Sequence, residues 1–237
     1  GRYHATVFLS PGWTNKGISI GETQGIDCVN FDACKESGLE VVRRCTEGYA
    51  VIHYEGDVAY GMVIPRASVN SKRDFDDRIF PVLARSLERV GVPKAYDPFP
   101  RRYGNVFVNG RKISGSAQNT GNRTHWLQHG IILMKAHNQG DYRRFTKGNN
   151  PSRAQFQMTS VEEEKGVADS KRLVGAMADE FLKQSDTLGV SLKETTLSDK
   201  ELGYADRLAR DKYRNEEWLL FGTGEKDKSG RVECFVG

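Results

Sequence analysis

Two segments carry side chains whose types and spacing suit chemistry on an anionic ligand. The first is Val41-Val42-Arg43-Arg44-Cys45-Thr46-Glu47-Gly48-Tyr49-Ala50-Val51-Ile52-His53, where two arginines end one β-type run, Gly48 makes a turn, and a histidine ends the next run. A guanidinium offers a planar fork of donors that matches phosphate or carboxylate, and a glycine lets backbone N–H groups approach the same anion. Adjacent side chains on a strand point to opposite faces, so at most one of Arg43 and Arg44 can face a pocket. The competing reading is a solvated edge arginine. The second segment is Asn109-Gly110-Arg111-Lys112-Ile113-Ser114-Gly115-Ser116-Ala117-Gln118. Lys112 supplies a point charge of the kind that stabilises a carbonyl oxygen as it gains charge on attack. The small residues behind it, Ser114, Gly115, Ser116 and Ala117, leave room for a ligand against the backbone. Lysines mostly stay in water, so an ordinary exposed hairpin lysine is the alternative.

Several elements must position these residues. Short runs rich in Val, Ile and Tyr, punctuated by Gly or Pro, predict strands over Ala5–Ser10, Gly17–Gln24, Leu39–Cys45, Tyr49–Tyr54 and Val58–Ile64. Phe75, Ile79, Val82, Leu83, Leu87 and Val90 recur at helical spacing and predict a helix over Asp74–Val90, with a kink expected at Pro81. Asn109-Gly110, between Asn105–Val108 and Arg111–Ser114, predicts a two-residue type I′ hairpin, because both of its central residues need positive φ. Trp126–Ala136 reads as a buried strand and His137–Ser152 as a long polar loop. A helix is expected within Ser160–Gln184, with Val174, Met177, Phe181 and Leu182 facing the core. Another opens at Ser198 through the capping box Ser198-Asp199-Lys200-Glu201, with Leu202, Ala205, Leu208 and Ala209 on its buried face. The Gly- and Lys-rich stretch after Trp218 leads to one short strand or frayed end over Val232–Val236. Strands first and helices later define an α+β chain with a mixed, mainly antiparallel sheet.

Composition narrows the function. The chain has 237 residues, 38% hydrophobic and 28% charged, enough for one large or two small domains. Its net charge of +4, with acidic and basic residues interspersed, is no nucleic-acid-binding stripe and points to acidic partners. No apolar run approaches a membrane span and no signal-peptide layout opens the chain, so a soluble, cytoplasmic protein is expected. Cys28, Cys34, Cys45 and Cys234 are scattered without a CxxC pair, which suggests reduced, structural thiols.

Taken together, the segments resemble the lipoate-protein ligase A family of the biotin/lipoate ligase superfamily. Arg43-Arg44 through His53, then Gly56-Asp57 and Tyr60, is similar to that family's pattern of two arginines, a glycine triplet, a valine and a histidine. Asn109 through Gln118, with His129-Gly130 and Leu133, resembles its lysine signature almost residue for residue. Ile20-Gly21-Glu22-Thr23-Gln24 is similar to its first strand, and Lys212-Tyr213 with Glu217-Trp218 to the end of its catalytic domain. The resemblance implies a biotin/lipoate ligase-type mixed sheet packed against helices. It also implies activation of lipoate by ATP and Mg²⁺ to lipoyl-AMP, and transfer to a lysine of a lipoyl domain or glycine-cleavage H-like carrier protein. Carried over to matching positions, Lys112 is the catalytic residue. Arg43, Arg44, Glu47, Gly48, Tyr49, Ala50, Val51, His53, Asn105, Ser114, Gly115, Ser116, Ala117 and His129 line the acyl and adenylate site. Ile20, Val51 and Ile113 are expected to supply an apolar slot, and Asn105 stands where a metal-binding carboxylate is usual. The catalytic domain is expected over residues 1–222, with 223–237 a tail or the start of an accessory segment.

This chain departs from the family pattern on the nucleotide side. The glycine triplet reads Glu47-Gly48-Tyr49, Tyr54 replaces an aspartate after His53, and Tyr103-Gly104-Asn105 replaces an Arg-Asn-Asp stretch. A full accessory C-terminal domain is also expected to be lacking. Mg²⁺ prefers carboxylate and phosphate oxygens, so adenylation is expected to need an accessory ligase subunit, or the acyl donor arrives already activated. The alternatives are therefore an octanoyl or lipoyl transferase using a preactivated donor, or a non-catalytic lipoyl-adenylate-binding homologue. Octanoyltransferases of the cysteine type carry a nucleophilic cysteine shortly before the lysine signature, and residues 95–103 contain none.

Overall fold

The computed structural model describes residues 3–93, 95–96, 104–148 and 157–222. In chain order the elements are β1 (Tyr3–His4), β2 (Thr6–Ser10), β3 (Gly17–Ile20), α1 (Phe31–Glu36), β4 (Glu40–Arg43), β5 (Val51–His53), β6 (Val58–Pro65), α2 (Lys72–Arg89), β7 (Ala95–Tyr96), β8 (Asn105–Val108), β9 (Arg111–Asn119) and β10 (His125–Ile132). There follow α3 (Gln139–Phe145), α4 (Val161–Lys165), α5 (Ser170–Lys183), α6 (Ser185–Leu188), β11 (Val190–Ser191), α7 (Asp199–Leu208) and α8 (Glu216–Phe221). Two units result, one from Gly1–Asn15, Tyr54–His137 and Phe156–Lys193, the other from Lys16–His53, Asn138–Gln155 and Glu194–Gly237.

The first unit is built on a six-stranded sheet in the order β2-β6-β10-β9-β8-β7, with every pair antiparallel. Strand alternation puts Val58, Tyr60, Met62 and Ile64 of β6 on one face, buried in a single cluster with Phe75, Ile79, Val82, Leu83 and Leu87 of α2. Each such side chain contributes about 1.5–3 kcal/mol on full burial. Ser71 caps α2 by accepting from the Asp74 N–H, and the helix continues through Pro81. Beside it α5 adds Leu173, Met177 and Phe181 to the same cluster. The hairpin between β8 and β9 turns on Asn109 (φ 49°) and Gly110 (φ 76°), as the type I′ turn demands. Behind the turn the pairing shifts by one residue between Val106 and Phe107, a β-bulge beside Lys112.

The second unit has a three-stranded sheet in the order β4-β3-β5, with β3 parallel to β4 and antiparallel to β5. Tyr142 and Phe145 of α3 are buried there, and the Tyr142 hydroxyl accepts from the Ile52 N–H. Trp218 of α8 is buried in turn, its indole N–H donating to the Arg43 carbonyl.

The α+β class and mainly antiparallel sheet agree with the expectation, and local boundaries differ for identifiable reasons. Strands β3, β4 and β5 are shorter than expected, and β10 ends at Ile132 because the Met134 N–H leaves the ladder for the Asp57 carboxylate. The expected loop from His137 contains α3, whose Asn138 cap and buried Tyr142 and Phe145 supply a helix start and a core stripe three residues apart. The expected helix within Ser160–Gln184 is two helices, parted at Gly166 (φ 85°). Leu173 and Ala176 join its stripe, whereas Leu182 is exposed. The capping box at Ser198 is present, but no residue of α7 is buried and Leu202 is 46% exposed, so the expected buried face is corrected. Tyr103, Cys234 and the Val232–Val236 strand lie outside the described residues.

Gly130 of β10 sits between β6 and β9, where a Cβ would stand 2.5 Å from both the Gly115 carbonyl oxygen and the Tyr60 hydroxyl. Neither neighbour can retreat, one being sheet backbone and the other a buried ring. Gly130→Ala should cost about 2–3 kcal/mol, read as a lower denaturant midpoint at unchanged slope.

Candidate active site

Lys112 stands on the face of the first unit's sheet opposite the α2 cluster. The bulge sets its register: Phe107 lies opposite Lys112 and Asn105 opposite Gly115. The ammonium then lies over Gly115, where a Cβ would stand 2.8 Å from Lys112 Nζ and 3.6 Å from Asn105 Oδ1. Glycine there leaves the lysine's side chain its place, and a Cβ would push the ammonium aside. Ala117 and His129, paired across β9 and β10, share that face by alternation. The Lys112 backbone is held on its outer side as well, donating to the Gln157 carbonyl and accepting from the Thr159 N–H. Burial pushes the lysine pKa down from 10.5 to about 8. This is not the ordinary solvated hairpin lysine.

Ser114 and Ser116 point to the other face. Ser114 Oγ lies 3.3 Å from the Tyr60 hydroxyl, and Ser116 Oγ accepts from Gln128, whose own side-chain oxygen accepts from Gln118. Gln118 also donates to Asp76 of α2 at 2.9 Å. Burial raises the Tyr60 pKa to about 12, which leaves its hydroxyl neutral. These groups brace β9 from behind, and Ile113, fully buried in the α2 cluster, does the same rather than lining an open slot. Tyr60 belongs to the family resemblance, whereas Gln128 and Asp76 escaped sequence reasoning. A polar residue interrupting each apolar stripe was the available signal.

In the second unit the two arginines are engaged by backbone carbonyls. Arg43, 2% exposed, donates to the carbonyls of Gly21, Glu22 and Gln24 at 2.6–3.0 Å, and to those of Leu219 and Leu220. It fastens the turn after β3 to α8. Arg44 donates to the Ser19 carbonyl and, across the turn, to those of Glu47 and Tyr49 at 2.8 and 3.0 Å. Gly48 (φ 100°) needs its glycine, and a Cβ on Gly21 would stand 2.1 Å from the Gly48 oxygen, so two glycines pack backbone on backbone. Neither arginine is the solvated edge residue that competed in the sequence. Ala50 and Ile20 are fully enclosed, Val51 is half-buried, and His53 Nε2 lies 2.7 Å from Ser19 Oγ. Ser19, the polar residue between Ile18 and Ile20, was not singled out in the sequence.

The residues do not fit Mg²⁺. Among the described residues no group of three or more His, Cys, Asp or Glu side chains could hold a metal ion. Asn105 offers a neutral amide beside the Lys112 ammonium, which repels a divalent cation. Nor is any described helix long and apolar enough to cross a membrane.

The family model for the lipoyl protein ligase A/B catalytic domain matches residues 6–184, and the chain belongs to that family. Octanoyltransferase LipM of Lysinibacillus sphaericus (strain C3-41) is 30% identical over 239 aligned residues, covering 87% of this chain and 84% of the relative. The LipM octanoyltransferase of Staphylococcus aureus (strain NCTC 8325 / PS 47) is 28% identical, covering 88% and 84%. Among solved structures, a bipartite lipoate protein ligase with its E2 lipoyl domain from Thermoplasma acidophilum superposes with a TM-score of 0.76 at 22% identity, covering 96% of this chain and 89% of that one. A lipoate-protein ligase A bound with ATP gives 0.74 at 23%, covering 93% and 88%. These two share the fold, a mixed sheet packed against helices. The sequence relatives correct the expectation of an ATP-dependent lipoate ligase: the curated relatives at 26–30% identity over 87–88% of the chain are named octanoyltransferases.

A buried ammonium works against stability. Unfolded, Lys112 keeps its proton up to the ordinary range near 10.5, whereas folded it releases it near 8. The unfolded state binds more protons in between, so stability should rise with pH through that window. Lys112→Met should therefore stabilise the protein by about 3 kcal/mol at pH 7, with the gain shrinking above pH 8. Chemical denaturation at pH 7 and pH 9.5 checks the sign and the trend.

Proposed function

We propose that this protein is an acyltransferase that takes an octanoyl or lipoyl group from an already activated donor and joins it to a lysine of a lipoyl-carrier protein. What supports this is the half-buried Lys112 ammonium over Gly115, in a chain whose relatives are named octanoyltransferases. The carrier lysine's neutral amine attacks the acyl carbonyl carbon, and the C=O π pair moves onto oxygen. Lys112 faces that oxyanion with little water between them, where a charge-assisted hydrogen bond is worth more than in solvent. Collapse restores the carbonyl and expels the donor's leaving group, which departs with the proton lost by the amine, as a thiol if the donor is a thioester. Asn105 and His129 flank the lysine and are proposed to contact the acyl head. An activated donor needs neither ATP nor a metal, and an accessory subunit is not required for this step. No enzyme thiol is assigned a covalent role: burial raises the Cys34 pKa, and residues 95–103 hold no cysteine.

The test is to incubate the protein with octanoyl-acyl carrier protein and an apo lipoyl domain, without ATP, and follow the carrier's mass. Wild type should add one octanoyl group, and Lys112→Ala should be slower by ~10²–10³-fold. The wild-type rate should fall as pH rises through about 8, where Lys112 loses its charge. Lys112→Arg, slower throughout, should show no such fall up to pH 10. Transfer that runs only with ATP and free acid, or is unchanged in Lys112→Ala, overturns the reading.

A further inference from the structure

Glu164 of α4 ties together the segments that hold Lys112. Its Oε1 accepts from Arg111 Nη2 at 2.6 Å and from Thr159 Oγ1 at 2.6 Å, and its Oε2 accepts from Asn109 Nδ2 at 3.1 Å. Asn109 is the turn residue with positive φ, Arg111 precedes the lysine on β9, and the Thr159 N–H donates to the Lys112 carbonyl. The carboxylate is almost enclosed, with 4% of its side chain exposed. The helix that carries it is itself anchored. Ser160 caps it by accepting from the Glu163 N–H, the Val161 and Glu162 N–H groups donate to the Leu133 and Met134 carbonyls, and Lys165 donates to the Val90 carbonyl at 2.8 Å. Three polar groups thus meet on one anchored carboxylate beside the strand that carries Lys112.

We infer that Glu164 is a positioning residue: by locking the hairpin turn, β9 and the 157–159 segment to α4, it holds Lys112 over Gly115 in its water-poor place. The inference rests on the function proposed for Lys112 only where activity is read. Groups with two conformational anchors on each side keep a side chain within the few tenths of an ångström that charge stabilisation needs. Among the described residues, the neighbours of Lys112 include Asn105 and Phe107 of β8, Gly115 of its own strand, and His129 of β10 on the same face. Its proton affinity is depressed by burial. Loosening the clamp should admit water and restore part of the ordinary lysine behaviour.

The variants are Glu164→Ala, Glu164→Gln and the milder Thr159→Val. In Glu164→Gln the amide oxygen keeps Arg111 and Thr159, and its NH₂ can donate to a flipped Asn109 amide. Lys112 is titrated directly by NMR on protein with ¹³C-labelled lysine, its resonance assigned by its loss in Lys112→Arg. The midpoint should lie near 8 in wild type and Glu164→Gln and move up by about one pH unit in Glu164→Ala, with Thr159→Val between. In the transfer assay kcat should fall about tenfold or more in Glu164→Ala at unchanged KM, and the alkaline limb should move with the midpoint. If Glu164→Ala does not fold, Thr159→Val is read in the same way. An unmoved midpoint in folded Glu164→Ala, or in Thr159→Val where Glu164→Ala does not fold, overturns the inference, since a merely structural role would lower stability alone. A moved midpoint without transfer activity in any variant upholds the inference and rejects the proposed function.

Discussion

Holding an ammonium where water is scarce is the constraint around which the first unit is arranged. The Lys112 side chain loses hydration by lying over its own strand, and its pKa falls to about 8 as a result. Such a group does not stay in place unless the backbone under it is fixed on every side. The β-bulge at Val106/Phe107 sets its register, the ladder to β8 and the bonds to Gln157 and Thr159 pin its strand, and Gly115, without a Cβ, leaves the ammonium its place. Behind the strand, Gln118 donates to Gln128 and Asp76, Gln128 donates to Ser116, and Ser114 meets the Tyr60 hydroxyl. A polar network in a core is costly unless satisfied, and it confers a unique register when it is. Here the polar face of β9 and β10 gives up hydrophobic burial, and the strand that carries the charge gains a fixed position.

The second unit uses charge for a different purpose. Arg43 and Arg44 engage backbone carbonyls that the turns at Gly21 and Glu47–Tyr49 leave outside any ladder. Buried carbonyls without donors cost about 1–3 kcal/mol each, and a guanidinium can satisfy several at once because its donors fan out in a plane. In Glu47-Gly48-Tyr49 glycine stands only at the position whose φ is positive. The arginine pair thus shapes the turn itself, which reconciles two arginines in succession with the rule that alternate strand residues face opposite ways.

The chemistry follows from what surrounds the lysine. Making an acyl adenylate requires charge neutralisation on three phosphates, and carboxylates that hold a metal are the usual means. Passing on an acyl group that is already activated requires stabilisation of one developing oxyanion, for which a single preorganised cation suffices. On the function proposed above, Lys112 with the neutral Asn105 beside it serves the second task, in keeping with relatives named octanoyltransferases.

What the sequence determined by itself is what depends on near neighbours. Asn109-Gly110 specified the hairpin because only those residues accept two positive φ angles in succession, and Ser198 with Glu201 specified a helix start through reciprocal hydrogen bonds. The stripe from Phe75 to Leu87 specified α2, and the lysine signature specified the family. The rest needed tertiary structure. The backbone of Lys112 is held in place by residues 157–159, which are more than forty positions away and bear no local sign of that role. Whether Arg43 meets a ligand or carbonyls depends on Leu219 and Leu220, brought beside it by a helix from the far end of the described chain. The apolar stripe of α7 predicted burial because periodicity reports which face is apolar, yet burial needs a second surface to cover that face, and periodicity carries no information about one.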